Sequence, residues 1–518
     1  MPIQYDKNWK RIIFRRRAVV ITAVVAQMVF IIAAAIGFHT LFRYVYWTLY
    51  AVGIALSIRI INWREKPSAY KITWIFVMLI SPIAGGLLYF ALYFQTNQKK
   101  YRACIRNAAP KRLEAALLPG DVLSALHGEP GFLQARFLRN YAQFPLFGHT
   151  RCEYLPSGEA FWEQALEEIE KAEKYIFLEF FIVNPGSLLD LLLIMLEKKA
   201  RKGVDVRLIY DDVGCFVSLP NDFPAQLRSK GIKCVVFNRL SPVLSSIQNN
   251  RDHRKIISVD GKTAFTGGVN IGDEYINAYE KYGHWKDAGI MLEGEGAWGL
   301  TVIFLHMWNV EFELNRKPGD DYPAFYPWKN TKCGTASDGF VSPYSENPID
   351  GNNTGSQIYL QIINTAKKYL YINTPYLILD DSFRLALTLS AKSGVDVRII
   401  TPHRPDKKAV HLLTRSYYRH LIEAGVRVFE YTRGFNHSKT FVSDDTVATV
   451  GTMNLDFRSL YLHFECGVWL YQNSAIQKIK EDFLATQAQC EEIMPDTCKG
   501  SLPARAVQGA LRIVAPLI

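Results

Sequence analysis

The sequence predicts an α/β protein in which one unit is used twice, the two copies facing each other across a pseudo-twofold axis, behind a set of N-terminal transmembrane helices. Three observations predict it. Long uncharged runs are confined to the first hundred of 518 residues, strand and helix patterns in the remainder recur about 190 residues apart, and a short histidine–lysine pattern recurs with them.

The uncharged runs come first along the chain. Residues 18–38 and 72–94 contain no Asp, Glu, Lys or Arg, and each is long enough to cross a bilayer as a helix, which takes about 20 apolar residues. Residues 44–61 are apolar and aromatic apart from Arg59 and form a third candidate span, which crosses if the arginine snorkels. The opening "MPIQYDKNWKRIIFRRR" carries six Lys/Arg against one Asp, which keeps the N-terminus cytoplasmic. The run behind it is too long for the apolar region of a cleaved signal peptide, so an uncleaved anchor is expected. The number of crossings stays open. Residues 59–71 and "NQKKYRACIRNAAPKR" are both basic and cannot both lie inside if 72–94 crosses completely, although Pro82, Gly85 and Gly86 permit a bend.

A net charge of +11 suits a surface of anionic headgroups or a nucleic acid. With membrane segments present the headgroups are the more economical partner, and no long groove signature of basic and aromatic residues speaks for a nuclease. Part of the charge also sets topology. The eight cysteines are scattered with no C-x-x-C pair, which fits free thiols better than a zinc site or a disulfide framework.

Beyond about residue 136 the pattern alternates strand and helix. "SGEAFWEQALEEIEKAEKYIFLEFFIV" is an amphipathic helix running into an apolar strand, and "GSQIYLQIINTAKKYLYINTPYLI" repeats it; "LEKKARKGVDVRLIYDD" is matched by "LTLSAKSGVDVRIITPH", with a turn at Gly203 or Gly394. A period this long means a duplicated domain, not a solenoid. The expected division is a membrane region at 1–100, a connecting segment at 101–135, a first half at 136–312, a Pro- and Gly-rich linker at 313–339, a second half at 340–500 and an amphipathic segment at 501–518. That last segment is read as lying on the membrane, with a packed terminal helix as the alternative.

"NNRDHRKIISVDGKTAFTGGVN" sets His253 and Lys255 two apart, with Asp260 seven after the histidine, and "FNHSKTFVSDDTVATVGTMN" does the same with His437, Lys439 and Asp444. Asn270 follows His253 at the same interval of 17 residues as Asn454 follows His437. One such pair is usually a polar strand face, but two at equivalent places of a duplicated unit are not coincidence. In a strand, residues two apart share a face, so each half presents an imidazole beside an ammonium. The hairpin turns that follow return a small-residue strand carrying Gly268 and Asn270, or Thr452 and Asn454, which lets a ligand approach the backbone. If the halves meet about the pseudo-twofold axis, two His, two Lys and two Asn converge on one pocket. Lysine and amide donors suit a phosphate, and two histidines supply a nucleophile and a general acid that later acts as base. A carboxylate on each histidine's other nitrogen would fix its tautomer, and Glu465 and Asp287 are the candidates. Asp260 and Asp444 fall near the turns, where a structural part is expected, including pairing with a basic group. No metal or cofactor is expected. His284, His306, His403, His411, His420 and His463 are not doubled and are read as surface, core or supporting residues.

These residues resemble the phospholipase D superfamily signature H-x-K-x-x-x-x-D-x-x-x-x-x-x-G-[GST]-x-N, present twice. With "HRKIISVDGKTAFTGGVNIGDEY", "YYRHLIEAGVRVFEY" and "VGTMNLDFRSLYLHFE" behind apolar N-terminal segments, the resemblance extends to bacterial cardiolipin synthases over nearly the whole chain. It implies a duplicated phospholipase D-like αβα sandwich and phosphatidyl transfer between two phosphatidylglycerol molecules, giving cardiolipin and glycerol through a phosphohistidine. By this resemblance the catalytic set is His253, Lys255, Asp260, His437, Lys439 and Asp444, with His253 the nucleophile and His437 the general acid. Asn270, Asn454, Gly268 and Thr452 would line the substrate site with Glu465 and Asp287. The implied partners are phosphatidylglycerol and other anionic phospholipids in a bacterial cell membrane, multi-pass, with the catalytic part on the cytoplasmic side. Self-association is left open, as are hydrolysis and transfer to another alcohol. A non-catalytic membrane scaffold is the rival from another class, and intact His and Lys in both halves speak against it.

Overall fold

A computed structural model of the chain describes residues 39–62, 68–80, 96–240, 249–498 and 502–517, with Ile32, Ile36 and Tyr89 as isolated positions. The first half builds one sheet from β1 (Thr150–Leu155), β2 (Tyr175–Phe180), β3 (Asp205–Asp211), β4 (Lys233–Phe237), β5 (Ile256–Val259), β6 (Thr263–Gly267) and β8 (Gly289–Gly294), in the order β1-β8-β6-β5-β2-β3-β4; β7 (His284–Lys286) stands apart. The second half repeats that order with β9 (Phe340–Glu346), β10 (Tyr369–Asn373), β11 (Asp396–Pro402), β12 (Arg427–Tyr431), β14 (Thr440–Ser443), β15 (Val447–Gly451) and β16 (Glu465–Tyr471), and adds the edge strand β17 (Cys490–Glu492). In both halves two parallel pairs carry the crossover helices and antiparallel hairpins carry the histidine motif. The duplication expected from sequence is thus a repeated mixed α/β unit.

Local chemistry sets these elements. Ser157 and Asp380 cap the helices Gly158–Lys171 and Asp381–Lys392 by accepting from the backbone N–H three residues on. Strand β2 and strand β16 are buried at every position, as befits inner strands covered on both faces. The sheets meet along β6 and β8 of one half and β15 and β16 of the other, where the Thr266 hydroxyl lies 3.3 Å from the Cys466 thiol. The helix Glu295–Leu314, largely apolar and buried at every residue from Glu295 to Leu305, packs on strands of both halves. One apolar cluster includes Ile256, Ala264 and Leu292 together with Val341, Val450 and Val468, so the halves share a core.

The N-terminal spans find no support among the described residues. No helix among the described residues is long and apolar enough to cross a membrane. The candidate at 44–61 falls in the helix His39–Ile61, where Arg43, Tyr44, Thr48, Tyr50, Ser57 and Arg59 dilute the apolar stretch. Of 72–94 the structure describes only the end of the helix Ser68–Ile80 and Tyr89, and 18–38 lies outside the described residues apart from exposed Ile32 and Ile36. The C-terminal segment forms the helix Leu502–Val514, packed against Lys408–Glu423 with the Arg512 guanidinium 4.8 Å over the Tyr417 ring. The Thr73 hydroxyl donates to the Ile513 carbonyl at 2.6 Å, which ties this helix to the N-terminal region.

Candidate active site

The segment carrying each histidine is pinned to the opposite half. His253 N–H donates to the Phe464 carbonyl at 2.9 Å, and His437 N–H donates to the Lys286 carbonyl at 2.6 Å. A bridge between Asp252 and Phe464, and the small sheet formed by β7 with β13 (Gly434–Asn436), are the corresponding contacts on the two sides of the axis. His253 and Lys255 lie just ahead of β5 in extended chain, not inside it, as do His437 and Lys439 ahead of β14. Each lysine ammonium donates to the carbonyl of the histidine two residues before it. All four side chains are buried, and each histidine feels the charge of both lysines.

The orienting carboxylates come crosswise. His253 Nδ1 lies 2.9 Å from Glu465 Oε2, and His437 Nδ1 lies 2.7 Å from Asp287 Oδ2. Each of these bonds leaves Nε2 as the ring nitrogen free for chemistry. Burial, then the charge of Lys255 and the other nearby cationic side chains, pushes His253 well below the usual imidazole range. Burial and Lys439 lower His437 to about 4 against the pull of Asp287. Burial opposes ionisation of both carboxyls: Glu465 goes well above its ordinary range despite Lys255 and Thr452, whereas His437, Lys439 and the Ala288 N–H outweigh burial and hold Asp287 below its own. Burial brings Lys255 to about 8 and Lys439 to about 7. A cluster of desolvated cations and near-neutral imidazoles has room in its electrostatics for one anion.

The small-residue strands supply the walls. A Cβ at Gly268 would stand 2.0 Å from Asp287 Oδ1 and 3.0 Å from the His437 carbonyl, so the carboxylate occupies the space a side chain would need. Thr452, at the equivalent place, instead donates its hydroxyl to Glu465 Oε2. Asn270 Oδ1 accepts from the Ile182 N–H at 3.1 Å. Asn454 Nδ2 reaches Asp456 at 3.3 Å, and its Oδ1 has no partner among the described residues.

Asp260 and Asp444, carried into the catalytic set by the motif, lie elsewhere. Each follows the far end of its strand, four residues and about 13 Å along. Asp260 accepts from the backbone N–H groups of Glu173, Lys174 and Tyr175, and Asp444 from those of Lys367, Lys368 and Tyr369, all at 2.7–2.9 Å. They bind turns to the start of β2 and β10 through backbone donors, not through a basic group. Two residues that the doubling does not single out flank the histidines. Trp285 Nε1 donates to Asp287 Oδ2 at 3.2 Å, with its ring 5.0 Å from that of His437. His463 lies 5.5 Å from the His253 ring, and neither of its ring nitrogens has a partner among the described residues. Their common signal is position: each precedes an orienting carboxylate by two. Ligand atoms of His253, His463 and Glu465 also lie within 4.8 Å of one another, the spacing of a three-ligand metal site.

Residues 165–285 and 359–486 match the family described as "Cardiolipin synthase, PLD-like domain". The chain is 32% identical to a cardiolipin synthase of Alkalihalophilus pseudofirmus over 89% of its length and 91% of the relative's, and 35% identical to one of Geobacillus kaustophilus over 82% and 84%. The chain belongs to the cardiolipin synthase family. Residues 51–92 match a second family description, "Phospholipase_D-nuclease N-terminal". A phosphatidylserine synthase from Haemophilus influenzae has the same fold, with a TM-score of 0.56, 18% identity, and coverage of 74% of this chain and 97% of that one. Family membership carries the duplicated phospholipase D-like unit and makes the chain an enzyme of the phosphatidyltransferase class.

Proposed function

We propose that the protein is a cardiolipin synthase that moves the phosphatidyl group of one phosphatidylglycerol onto the headgroup hydroxyl of another. Lys255, Lys439, Asn270 and Asn454 hold the non-bridging phosphate oxygens, and the anion raises the lysines back toward full charge. His253 Nε2 attacks phosphorus while the bond to the departing glycerol breaks, and His437, whose value the phosphate's negative charge raises from about 4 so that it acts as an imidazolium, gives its Nε2 proton to that glycerol oxygen. Neutral His437 then takes the proton of the second lipid's hydroxyl, whose oxygen attacks phosphorus and breaks the phosphorus–nitrogen bond. Cardiolipin and glycerol leave, with both histidines restored. The crossed pairs His253–Glu465 and His437–Asp287 carry this reading, because they present two oriented imidazoles to one buried cationic site.

Membrane attachment through residues 1–100, multi-pass, with the two halves at 136–312 and 340–500 on the cytoplasmic side, belongs to the same proposal. Its support is the uncharged runs at 18–38 and 72–94, the basic N-terminus and the family match at 51–92. The test is purified protein in mixed micelles with phosphatidylglycerol as sole phospholipid. Equal amounts of cardiolipin and glycerol, lost in His253→Ala, support the transferase. Phosphatidic acid without cardiolipin makes it a hydrolase.

A further inference from the structure

The two halves are not equivalent around their carboxylates. Asp287 accepts three donors, one of them on the oxygen that faces away from His437: His437 Nδ1–H at 2.7 Å and the Trp285 indole N–H at 3.2 Å on Oδ2, and the Ala288 N–H at 2.9 Å on Oδ1. Glu465 receives His253 Nδ1 and the Thr452 hydroxyl on Oε2 alone, and its buried Oε1 has no hydrogen-bond partner among the described residues. His463 occupies the place of Trp285 on this side, and its Nδ1 stands 3.7 Å from that oxygen, just beyond a hydrogen bond. Among the described residues, Glu465 Oε1 and both His463 nitrogens are thus left without a hydrogen bond, with Nδ1 3.7 Å from Oε1. A buried polar group without a partner is costly, and such groups beside a catalytic residue point to a role in its chemistry.

We infer that His463, which stands where Trp285 stands in the other half, is a positioning residue for His253: when the lipid phosphate enters, its Nδ1–H closes onto Glu465 Oε1 and gives that oxygen the donor that Asp287 Oδ1 already has from the Ala288 N–H. The inference rests on the reading of His253 as the residue that takes the phosphatidyl group. A closure of under 1 Å satisfies both atoms. The phosphohistidine carries positive charge on its ring, so its partner carboxylate must be ionised, and a second donor on Glu465 favours that form. Burial holds this carboxyl well above its usual range. The charged groups facing His463 are Glu465, His253, Lys255, Arg251, Arg458 and Lys407. Five of these six are cationic or become so, which disfavours a divalent ion at the His253–His463–Glu465 cluster and keeps His463 itself a neutral donor. Ser459, whose buried hydroxyl also has no hydrogen-bond partner among the described residues and lies close to Glu465, is the competing donor.

The experiment is single-turnover formation of the phosphohistidine from phosphatidylglycerol, with the adduct located by mass spectrometry, across pH 5–9 in wild type, His463→Phe, His463→Asn and Ser459→Ala. Expected is a fall of about 10- to 100-fold in His463→Phe, the range that loss of a histidine-orienting partner produces at metal sites. Its acidic limb moves to higher pH, because a carboxyl that loses a donor ionises later. The expected result for His463→Asn, which keeps an N–H donor, is near-wild-type rate and limb, with KM unchanged in all three variants. Equal damage in Phe and Asn variants would reduce His463 to a packing residue, and an effect confined to Ser459→Ala would give the role to the serine. Micromolar zinc that inhibits wild type but not His463→Asn would make the cluster a metal site and overturn the inference. Wild type that makes no cardiolipin sinks the functional reading itself, and an adduct on His437 sinks only the positional one.

Discussion

His253 and Glu465, 212 residues apart, meet at 2.9 Å between Nδ1 and Oε2, so the nucleophile proposed in one half is oriented by the other. Neither half therefore holds a complete site. Glu465→Gln and Asp287→Asn keep the shape but present an amide where a carboxylate accepted the imidazole N–H. Loss of tautomer control costs orders of magnitude in histidine-based catalysis. The expected outcome is a kcat lower by about 10²-fold or more with little change in KM, read from initial rates of cardiolipin formation.

Gly268 is required by what lies against it. In Gly268→Ala the new methyl meets Asp287 Oδ1 at 2.0 Å, and either the carboxylate or the His437 carbonyl must move. Overpacking of this kind costs about 1–3 kcal/mol. The expected result is a lower Tm together with loss of transfer. Gly203→Ala, at φ +88° with nothing within 4 Å among the described residues, is the control. It loses about 1 kcal/mol to backbone strain and keeps its kcat.

Asp260 separates motif membership from chemistry. Asp260→Ala removes the acceptor for three backbone N–H groups beneath β2. At about 1 kcal/mol or more per lost charge-assisted bond, the variant is expected to melt several degrees lower while its kcat at low temperature stays within a few-fold of wild type. Asp444→Ala should behave alike, since Asp444 holds the same three positions of the second half. A large fall in kcat in a fully folded variant would return these residues to the reaction.

What the sequence made legible follows from what repeats in it. The two H-x-K patterns and the repeated alternation of strand and helix could be read because residue spacing along an element translates directly into a shared face. The crossed carboxylates could be nominated, but not assigned to their histidines, because that pairing depends on how the halves dock. The family resemblance placed Asp260 in the catalytic set, whereas its place near the turn pointed to a structural part, and strand β5 carries the aspartate to the far end from His253. His463 stayed hidden because its counterpart is Trp285, and a role filled by two residue types leaves no doubled pattern. The membrane reading rested on runs of apolar residues, and the helix His39–Ile61 shows how two arginines and several hydroxyls weaken such a run.

Stability should depend on pH through the two lysines. Burial lowers Lys255 from 10.5 to about 8 and Lys439 from 10.5 to about 7 in the fold. A lysine depressed on folding binds its proton less readily in the native state than in the unfolded chain, so below its native value it destabilises the fold. The penalty is full below about pH 7 and is relieved as pH rises from about 7 toward 10.5. The empty protein should therefore gain Tm over that window, as far as the rest of the chain remains stable in alkali. A phosphate or vanadate anion in the pocket lifts the lysine values and should stabilise most at the acidic end, flattening the profile. Lys439→Met removes the group with the larger depression. It should raise Tm at pH 6.5, shrink both the pH dependence and the stabilisation by phosphate, and abolish transfer. A Tm profile that is unchanged by Lys439→Met, with or without phosphate, would mean that the ammonium is solvated in solution and does not carry the penalty its burial implies.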